Sequence, residues 1–198
     1  GLTGNLVYRL SFKADAYQIN IEDRIILSGA YNRERSENGV LIRSGAVNQV
    51  LDQLDPVGYI NGVQFFSNAV STQTRGIDLG LSDRLLLRRP GQDLTLSAAF
   101  SINQTSVNDV EAPDVIRNNA LLNGQFFNRQ EQSRIESAIP NNKVILSAQY
   151  GDRNWGMALR TVRFGEVSYL NPMDPANPES TTPLIADQTF SPKWITDL

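Results

Sequence analysis

The chain contains no cysteine and no histidine among its 198 residues. Without cysteine there are no disulfide bonds, thiolate metal sites or cysteine nucleophiles. Without histidine the usual general base, the Ser-His-Asp triad and the commonest zinc ligand are missing. No run approaches the ~18 apolar residues that suggest a transmembrane helix. We therefore expect no catalytic residue, no metal site and no cofactor.

Charge is scarce and nearly balanced: 20% of residues are charged and the net charge is -3. The arginines are spread singly along the chain, whereas binding to phosphates needs clustered Lys and Arg. The composition thus predicts no nucleic-acid partner. The chain begins on Gly1 rather than Met, and we interpret it as a mature or excised segment.

The clearest pattern is a hairpin between residues 77 and 102, with apolar and polar residues alternating on both arms. Successive side chains of a strand point to opposite faces, so this alternation predicts one apolar and one polar face. Residues 88–92 supply the turn. The apolar set is Ile77, Leu79, Leu81, Leu94, Leu96, Ala98, Phe100 and Ile102, and the polar set is Asp78, Gly80, Ser82, Thr95, Ser97, Ala99, Ser101 and Asn103.

Further strands are predicted on both sides of this hairpin. Residues 9–31 form a long strand whose apolar parity changes midway, which predicts a one-residue bulge near Asp15–Tyr17. Val144–Tyr150 precedes a tight turn at residues 151–154, and its partner strand runs from Trp155 to about Val167. Phe190–Leu198 begins another strand.

Three long polar connections separate the strands, at about 32–65, 105–140 and 168–190. In the first, four apolar residues at helical spacing predict a short amphipathic helix: Val47, Val50, Leu51 and Leu54. The second contains a predicted helical turn at Arg129–Ser137, ended by Pro140. The third is rich in Pro and Asn. We expect the first two connections to form the ligand-facing surface, without naming individual binding residues.

The connections differ in length in a regular way, because short turns fall at one end of the strands and long loops at the other. Outer-membrane β-barrels have this arrangement, with strands of about ten residues. Tyr150 and Trp155 flank a short turn, where an interfacial aromatic girdle is expected.

Charged residues also avoid the predicted apolar face. Arg or Lys at mid-bilayer costs about 2–4 kcal/mol, and Lys13, Arg84 and Arg160 fall on the polar parity. Asp83 falls on the apolar parity but close to a short turn. A soluble β-sandwich alternates in the same way, so the loop lengths are the stronger discriminator.

Four stretches of the sequence resemble strands and loops of TonB-dependent outer-membrane receptors. The most specific element is Thr74-Arg75-Gly76-Ile77-Asp78, within residues 68–79. The others are residues 14–25, the segment from Arg129 through Pro140 and Lys143 to Ala148, and Arg163-Phe164-Gly165-Glu166-Val167.

The resemblance implies an all-β fold: an antiparallel up-and-down transmembrane β-barrel segment of about six or seven strands, in which long extracellular loops carry short helices. Residues 1–198 would be the later part of a barrel domain without its plug domain, located in the bacterial outer membrane. The implied function is uptake of a scarce nutrient, most often a ferric siderophore, and not an enzymatic reaction. The implied partners are outer-membrane lipid, the remainder of the barrel, and the TonB energy-transducing complex acting through the plug.

Two alternatives stay open. One is a soluble β-sandwich that binds carbohydrate or protein, and the other is a glycosidase that uses two carboxylates. Several motifs have structural interpretations: we expect a bend or bulge at Gly76, and Arg75 and Asp78 in one lumen-side network. Asp109, Glu111 and Asp114 are predicted to lie in a solvated loop. Asp174, Asn177 and Glu179 carry oxygen atoms of the kind that bind calcium. We interpret this segment instead as a surface loop that its prolines hold in place.

Overall fold

The computed structural model describes residues 1–7, 9–33, 38, 46–89, 91–171 and 185–198. Its β-strands are β1 (Leu2–Val7), β2 (Leu10–Leu27), β3 (Tyr31–Asn32), β4 (Gly62–Val63), β5 (Phe66–Leu86), β6 (Asp93–Val110), β7 (Asn142–Gly151), β8 (Gly156–Phe164), β9 (Val167–Tyr169), β10 (Gln188–Phe190) and β11 (Lys193–Asp197). Its helices are α1 (Ala46–Leu54), α2 (Asp114–Arg117), α3 (Ala120–Phe126) and α4 (Arg129–Glu136).

Seven strands form one antiparallel sheet in the order β1-β2-β5-β6-β7-β8-β11. This confirms the predicted all-β fold of six or seven strands. Two small sheets, β3-β4 and β9-β10, lie within the long connections. None of the helices in the described ranges is both long and apolar enough to cross a membrane.

The register of the central strands confirms the predicted two-faced hairpin. Ile77 lies opposite Ile102, and Leu79 lies opposite Phe100. Directly opposed residues of antiparallel strands share a face, so the apolar residues of the two arms lie together. The next strand extends the pattern, because Phe100 also lies opposite Val144.

Both faces of the sheet are largely uncovered in the described structure. On the apolar face, Leu81 is 49% exposed and Phe100 is 38% exposed. The opposite face is polar and carries the three cations predicted there, since Lys13 lies opposite Gly80, Arg84 opposite Thr95 and Arg160 opposite Ser147. Most buried hydrophobic residues lie instead in the long connections and at the strand ends next to them.

The ends of the sheet differ as predicted. The connections β1–β2, β5–β6 and β7–β8 are short and share one end, while the connections after β2, β6 and β8 are long and share the other. At the short-turn end, the rings of Tyr150 and Trp155 are tilted against each other, with centroids 4.9 Å apart.

The predicted bulge near Asp15–Tyr17 is wrong. Pairing with β5 is continuous there, and it first shifts between Ile21 and Arg24. Asp23 adopts a left-handed backbone conformation (φ 52°), which accommodates the extra residue. As a result, Tyr17 stays on the polar face, with Ile19 and Ile21 on the same parity.

Several predicted boundaries also need correction. The structure adds β1, which the sequence analysis did not predict, and it extends β6 to Val110, beyond the predicted start of the second connection. Asp109 consequently lies in a strand rather than in a loop. The partner of β7 stops at Phe164, and β9 is a separate strand. The predicted helices are confirmed as α1 and α4.

Gly76 neither bends nor bulges its strand, because its pairing with Tyr17 and with Asn103 is regular. It provides space instead: a Cβ atom at this position would overlap the ring of Tyr17. The ring therefore lies over the glycine on the polar face, which is a known way to support a glycine in a sheet.

We predict that Gly76→Ala lowers the free energy of unfolding by about 1–3 kcal/mol, because the ring of Tyr17 is displaced. Urea unfolding of the full-length protein in detergent micelles measures the change. Gly80→Ala is the matched control, since a Cβ atom there would meet only the Lys13 Cβ at 3.8 Å. In a Tyr17→Ala background Gly76→Ala should cost nothing further, and an unchanged penalty would contradict this account.

Candidate functional site

The long connections form a folded unit, which we call the loop layer: the described residues 28–33, 46–65, 111–141, 165–171 and 185–192. Its core is hydrophobic and includes ends of the long strands. The core residues are Ile26, Tyr31, Val47, Leu51, Ala69, Val70, Ala112, Ile116, Leu122 and Phe126. The two connections that are predicted to face the ligand both contribute residues to this core, so they lie together in the structure.

Phe126, at the end of α3, is the centre of this core and is fully buried. Phe65 stacks between it and Tyr31, with ring centroids 5.9 Å and 6.1 Å apart. The Tyr31 hydroxyl donates to the carbonyl oxygen of Leu122 (2.9 Å), and burial raises the pKa of Tyr31 to about 12. Gly29 N–H donates to the carbonyl oxygen of Phe126 at 3.0 Å. The first and second connections are thus joined by aromatic packing and hydrogen bonds.

A buried arginine organises the first connection. The Arg33 guanidinium contacts the Asp52 carboxylate at 2.5 Å and donates to the carbonyl oxygen of Asp55 at 2.8 Å. Backbone N–H groups, that of Ile60 first, lower the pKa of Asp55 against the opposing effect of burial, and Arg33 lowers it further. This network holds the turn after α1, in which Val57 and Tyr59 are 69% and 83% exposed.

Helix α4 connects the sheet to the third connection. Asn128 caps the helix by accepting from Gln130 and Glu131 N–H groups. At the other end, the Glu136 carboxylate accepts the Val107 N–H at 2.7 Å, next to the irregular pairing of β6. The helix is therefore fixed both to its own N-terminal turn and to the sheet.

Two arginines of α4 hold the third connection. Arg129 forms a two-pronged pair with Asp187, with both N···O distances 2.9 Å, and this hydrogen bonding lowers the pKa of Asp187. Arg134 lies between Glu131 and the Tyr169 hydroxyl; the hydrogen bond to Tyr169 is the main cause that raises the pKa of Arg134. Burial raises the pKa of Glu131.

A polar cavity of about 330 Å³ lies where the strands are irregular, and the residues lining it include Glu22, Asp23, Asp109 and Glu111. Ser71 of β5 is flanked there by irregular pairing on both sides. Within the ranges given above, no group of three or more Asp or Glu residues is arranged to hold a metal ion.

The structure separates some residues that the sequence analysis had combined. Arg75 and Asp78 lie on opposite faces of β5, so the predicted common network is wrong. Arg75 donates to Gln18 Oε1 (3.0 Å), one row beyond the apolar residues, whereas Asp78 accepts from Ser101 Oγ on the polar face (2.5 Å). Glu111 lies in an exposed loop as predicted, whereas Asp114 is exposed but begins helix α2. Asp174, Asn177 and Glu179 lie outside the described residues.

A sheet with two distinct faces, short turns at one end and a folded loop layer at the other has the features expected of part of an outer-membrane β-barrel. Comparison with protein families agrees: the model described as "TonB dependent receptor-like, beta-barrel" matches residues 2–198. The chain belongs to this family, whose members are transporters and receptors of the bacterial outer membrane rather than enzymes. No match is found among the curated proteins.

We predict that Phe126→Ala loosens the loop layer and leaves the sheet intact. Removing a fully buried Phe side chain costs about 3–5 kcal/mol, so the Gly29 amide should exchange its hydrogen about a hundredfold faster or more. Hydrogen exchange read by mass spectrometry measures both regions. Asn123→Ala, at an exposed position of the same helix, is the control. Equal acceleration in β5 and β6 would show that the loop layer and sheet unfold together.

Proposed function

We propose that residues 1–198 form the later part of the barrel domain of a TonB-dependent transporter that takes up a scarce nutrient. The leading substrate class is a ferric siderophore or a similar chelate. In this proposal the plug domain and the remaining strands are supplied outside these residues. The TonB complex then acts through the plug, and the chain itself carries no catalytic group.

The observation that carries the proposal is the position of the loop layer relative to the two faces. Val70 is 1% exposed in the core of the loop layer and shares the parity of Asp78 and Gly80 on the polar face, as does Thr72, which is also 1% exposed. In a barrel the polar face is the lumen. The loop layer then covers the outer mouth, where an incoming nutrient first meets the protein.

The apolar face has the dimensions that a lipid-facing band needs. From Leu94 to Ile102 the strand covers about 27 Å at ~3.4 Å per residue, and tilted strands of about 9–11 residues span a bilayer. Gln18 and Arg75 mark the upper limit of the band in β2 and β5, and Arg163, opposite Val144, marks it in β8. Asp83 lies at its lower end, opposite Leu10 and Leu96.

The soluble β-sandwich is less well supported. A sandwich covers its apolar face with a second sheet, and in the part of the chain that the structure describes the two additional sheets have only two short strands each, within the long connections. Ile77, Leu79 and Leu96 are 47%, 45% and 43% exposed.

The loop layer offers an exposed tip for the first contact with a ligand. Val57, Tyr59 and Ile60 are exposed around the turn that Arg33 and Asp55 stabilise. Apolar and aromatic side chains on a rigid turn suit a bulky chelate with an aromatic or apolar surface. We propose this tip as the ligand-facing part of the first connection.

If the apolar face meets lipid, Phe100→Arg should reduce the stability of the full-length receptor in vesicles by about 2–4 kcal/mol. Ala99→Arg, which alters the adjacent residue on the polar face, is the control and should cost much less. Urea unfolding in vesicles compares the two. A larger penalty for Ala99→Arg would reverse the assignment of the faces.

The transport function is tested by iron uptake into cells that lack their own siderophore receptors and express the full-length receptor. We expect uptake of radiolabelled iron from a ferric hydroxamate or ferric catecholate to require the TonB complex. Phe126→Ala should reduce uptake at equal surface display, because the loop layer loosens. TonB-dependent uptake of cobalamin or an oligosaccharide alone would correct the substrate class, and uptake independent of TonB would refute the mechanism.

A further inference from the structure

The two short turns between β5 and β6 and between β7 and β8 are fixed to each other. The Gln92 side-chain amide donates to Asp152 Oδ2 at 3.0 Å. The stem of Arg153 lies against Gly91, whose φ of 91° fits a tight turn; a Cβ atom there would come within 2.9 Å of Arg153 Cγ. The two turns therefore present their side chains as one surface.

Three arginines dominate this surface, and we call them the turn arginines: Arg88, Arg89 and Arg153. All three are exposed, and none forms an ion pair with a residue that the structure describes. The neighbouring carboxylates have other partners: Asp152 accepts from Gln92 and from the Arg153 N–H, and Asp93 pairs with Arg84 at 3.3 Å.

The turn arginines are next to apolar and aromatic residues at the end of the apolar face. Leu87 is 39% exposed beside Arg88, and Trp155 is 57% exposed two positions after Arg153. Trp155 packs on Tyr150, which lies on the same face as Leu94. The turn arginines, an aromatic pair and the end of an apolar face thus adjoin one another along the two turns and the strands that flank them.

We propose that the turn arginines form a binding surface for anionic phospholipid headgroups in the periplasmic leaflet of the outer membrane. A guanidinium binds phosphate through two parallel hydrogen bonds, and Trp and Tyr favour the headgroup level of a bilayer. The acyl chains of the same lipid would lie along the apolar face. This inference rests on the proposed function, because it requires that face to meet lipid and the short turns to be periplasmic.

Charge complementarity favours a lipid surface over a periplasmic protein. The cations occupy the rim of an apolar face, and the aromatic pair continues that rim. The negative surface potential of an anionic leaflet acts on each cation within a Debye length, so the turn arginines should contribute together and in a salt-dependent way.

The test uses the full-length receptor in phosphatidylcholine vesicles, probed with spin-labelled phosphatidylglycerol and spin-labelled phosphatidylcholine. We expect the wild type to retain phosphatidylglycerol preferentially at low salt. The double variant Arg88→Gln/Arg89→Gln should lose this preference several-fold, with about fivefold per arginine as the upper limit. High salt should abolish the difference between the variants.

The controls distinguish a failure of this inference from a failure of the proposed function. Arg117→Gln/Arg160→Gln removes the same charge from helix α2 and from the polar face and should leave the preference unchanged, and Arg88→Lys/Arg89→Lys should retain part of it. Immobilised phosphatidylcholine without any phosphatidylglycerol preference would overturn this inference alone. A complete lack of immobilised lipid would refute the lipid-facing assignment itself. An unchanged lipid preference together with loss of TonB binding in the double variant would assign the turn arginines to a protein partner.

Discussion

The antiparallel register of β2, β5, β6 and β7 fixes which side chains share a face. Because side chains alternate with a period of two, a slip of one residue would exchange the faces. Ala16, Ile77 and Ile102 lie in one row, and Asp15, Asp78 and Ser101 lie in a neighbouring row on the other face. The separation into an apolar face and a polar face, on which the proposed transporter depends, follows from this register.

Regular pairing ends where the loop layer begins. The two neighbours of β5, which are β2 and β6, both shift register beside Ser71. Next to this shift, the Val107 N–H donates a hydrogen bond to the carboxylate of Glu136. A bulge disrupts the ladder locally and increases strand twist. The irregular pairing therefore marks the change from regular sheet to loop layer, and it also provides the attachment point of α4.

Sequence-based prediction succeeds for features that depend on local periodicity. It fails for features that depend on contacts between residues far apart in the chain. The alternation of β5 and β6 and the helical spacing of Val47 and Leu51 are local, and these elements were predicted. The bulge was misplaced because all apolar residues of β2 were assumed to share one face, whereas Tyr17 covers Gly76 on the polar face. The pair Arg129–Asp187 joins residues 58 positions apart, and no local pattern indicates it.

Hydrophobic side chains are buried in the loop layer but exposed on the apolar face of the sheet. Phe126 in the loop layer is 0% exposed, whereas Phe100 in the middle of the sheet is 38% exposed. The loop layer thus packs around a hydrophobic core that it shares with the ends of the long strands, whereas the apolar face of the sheet is exposed. In the proposed function the two parts have different surroundings, so we expect the loop layer to open for a ligand without disturbing the pairing of the sheet. Helix α4 joins the two parts, because it contacts β6 through Glu136 and the third connection through Arg129.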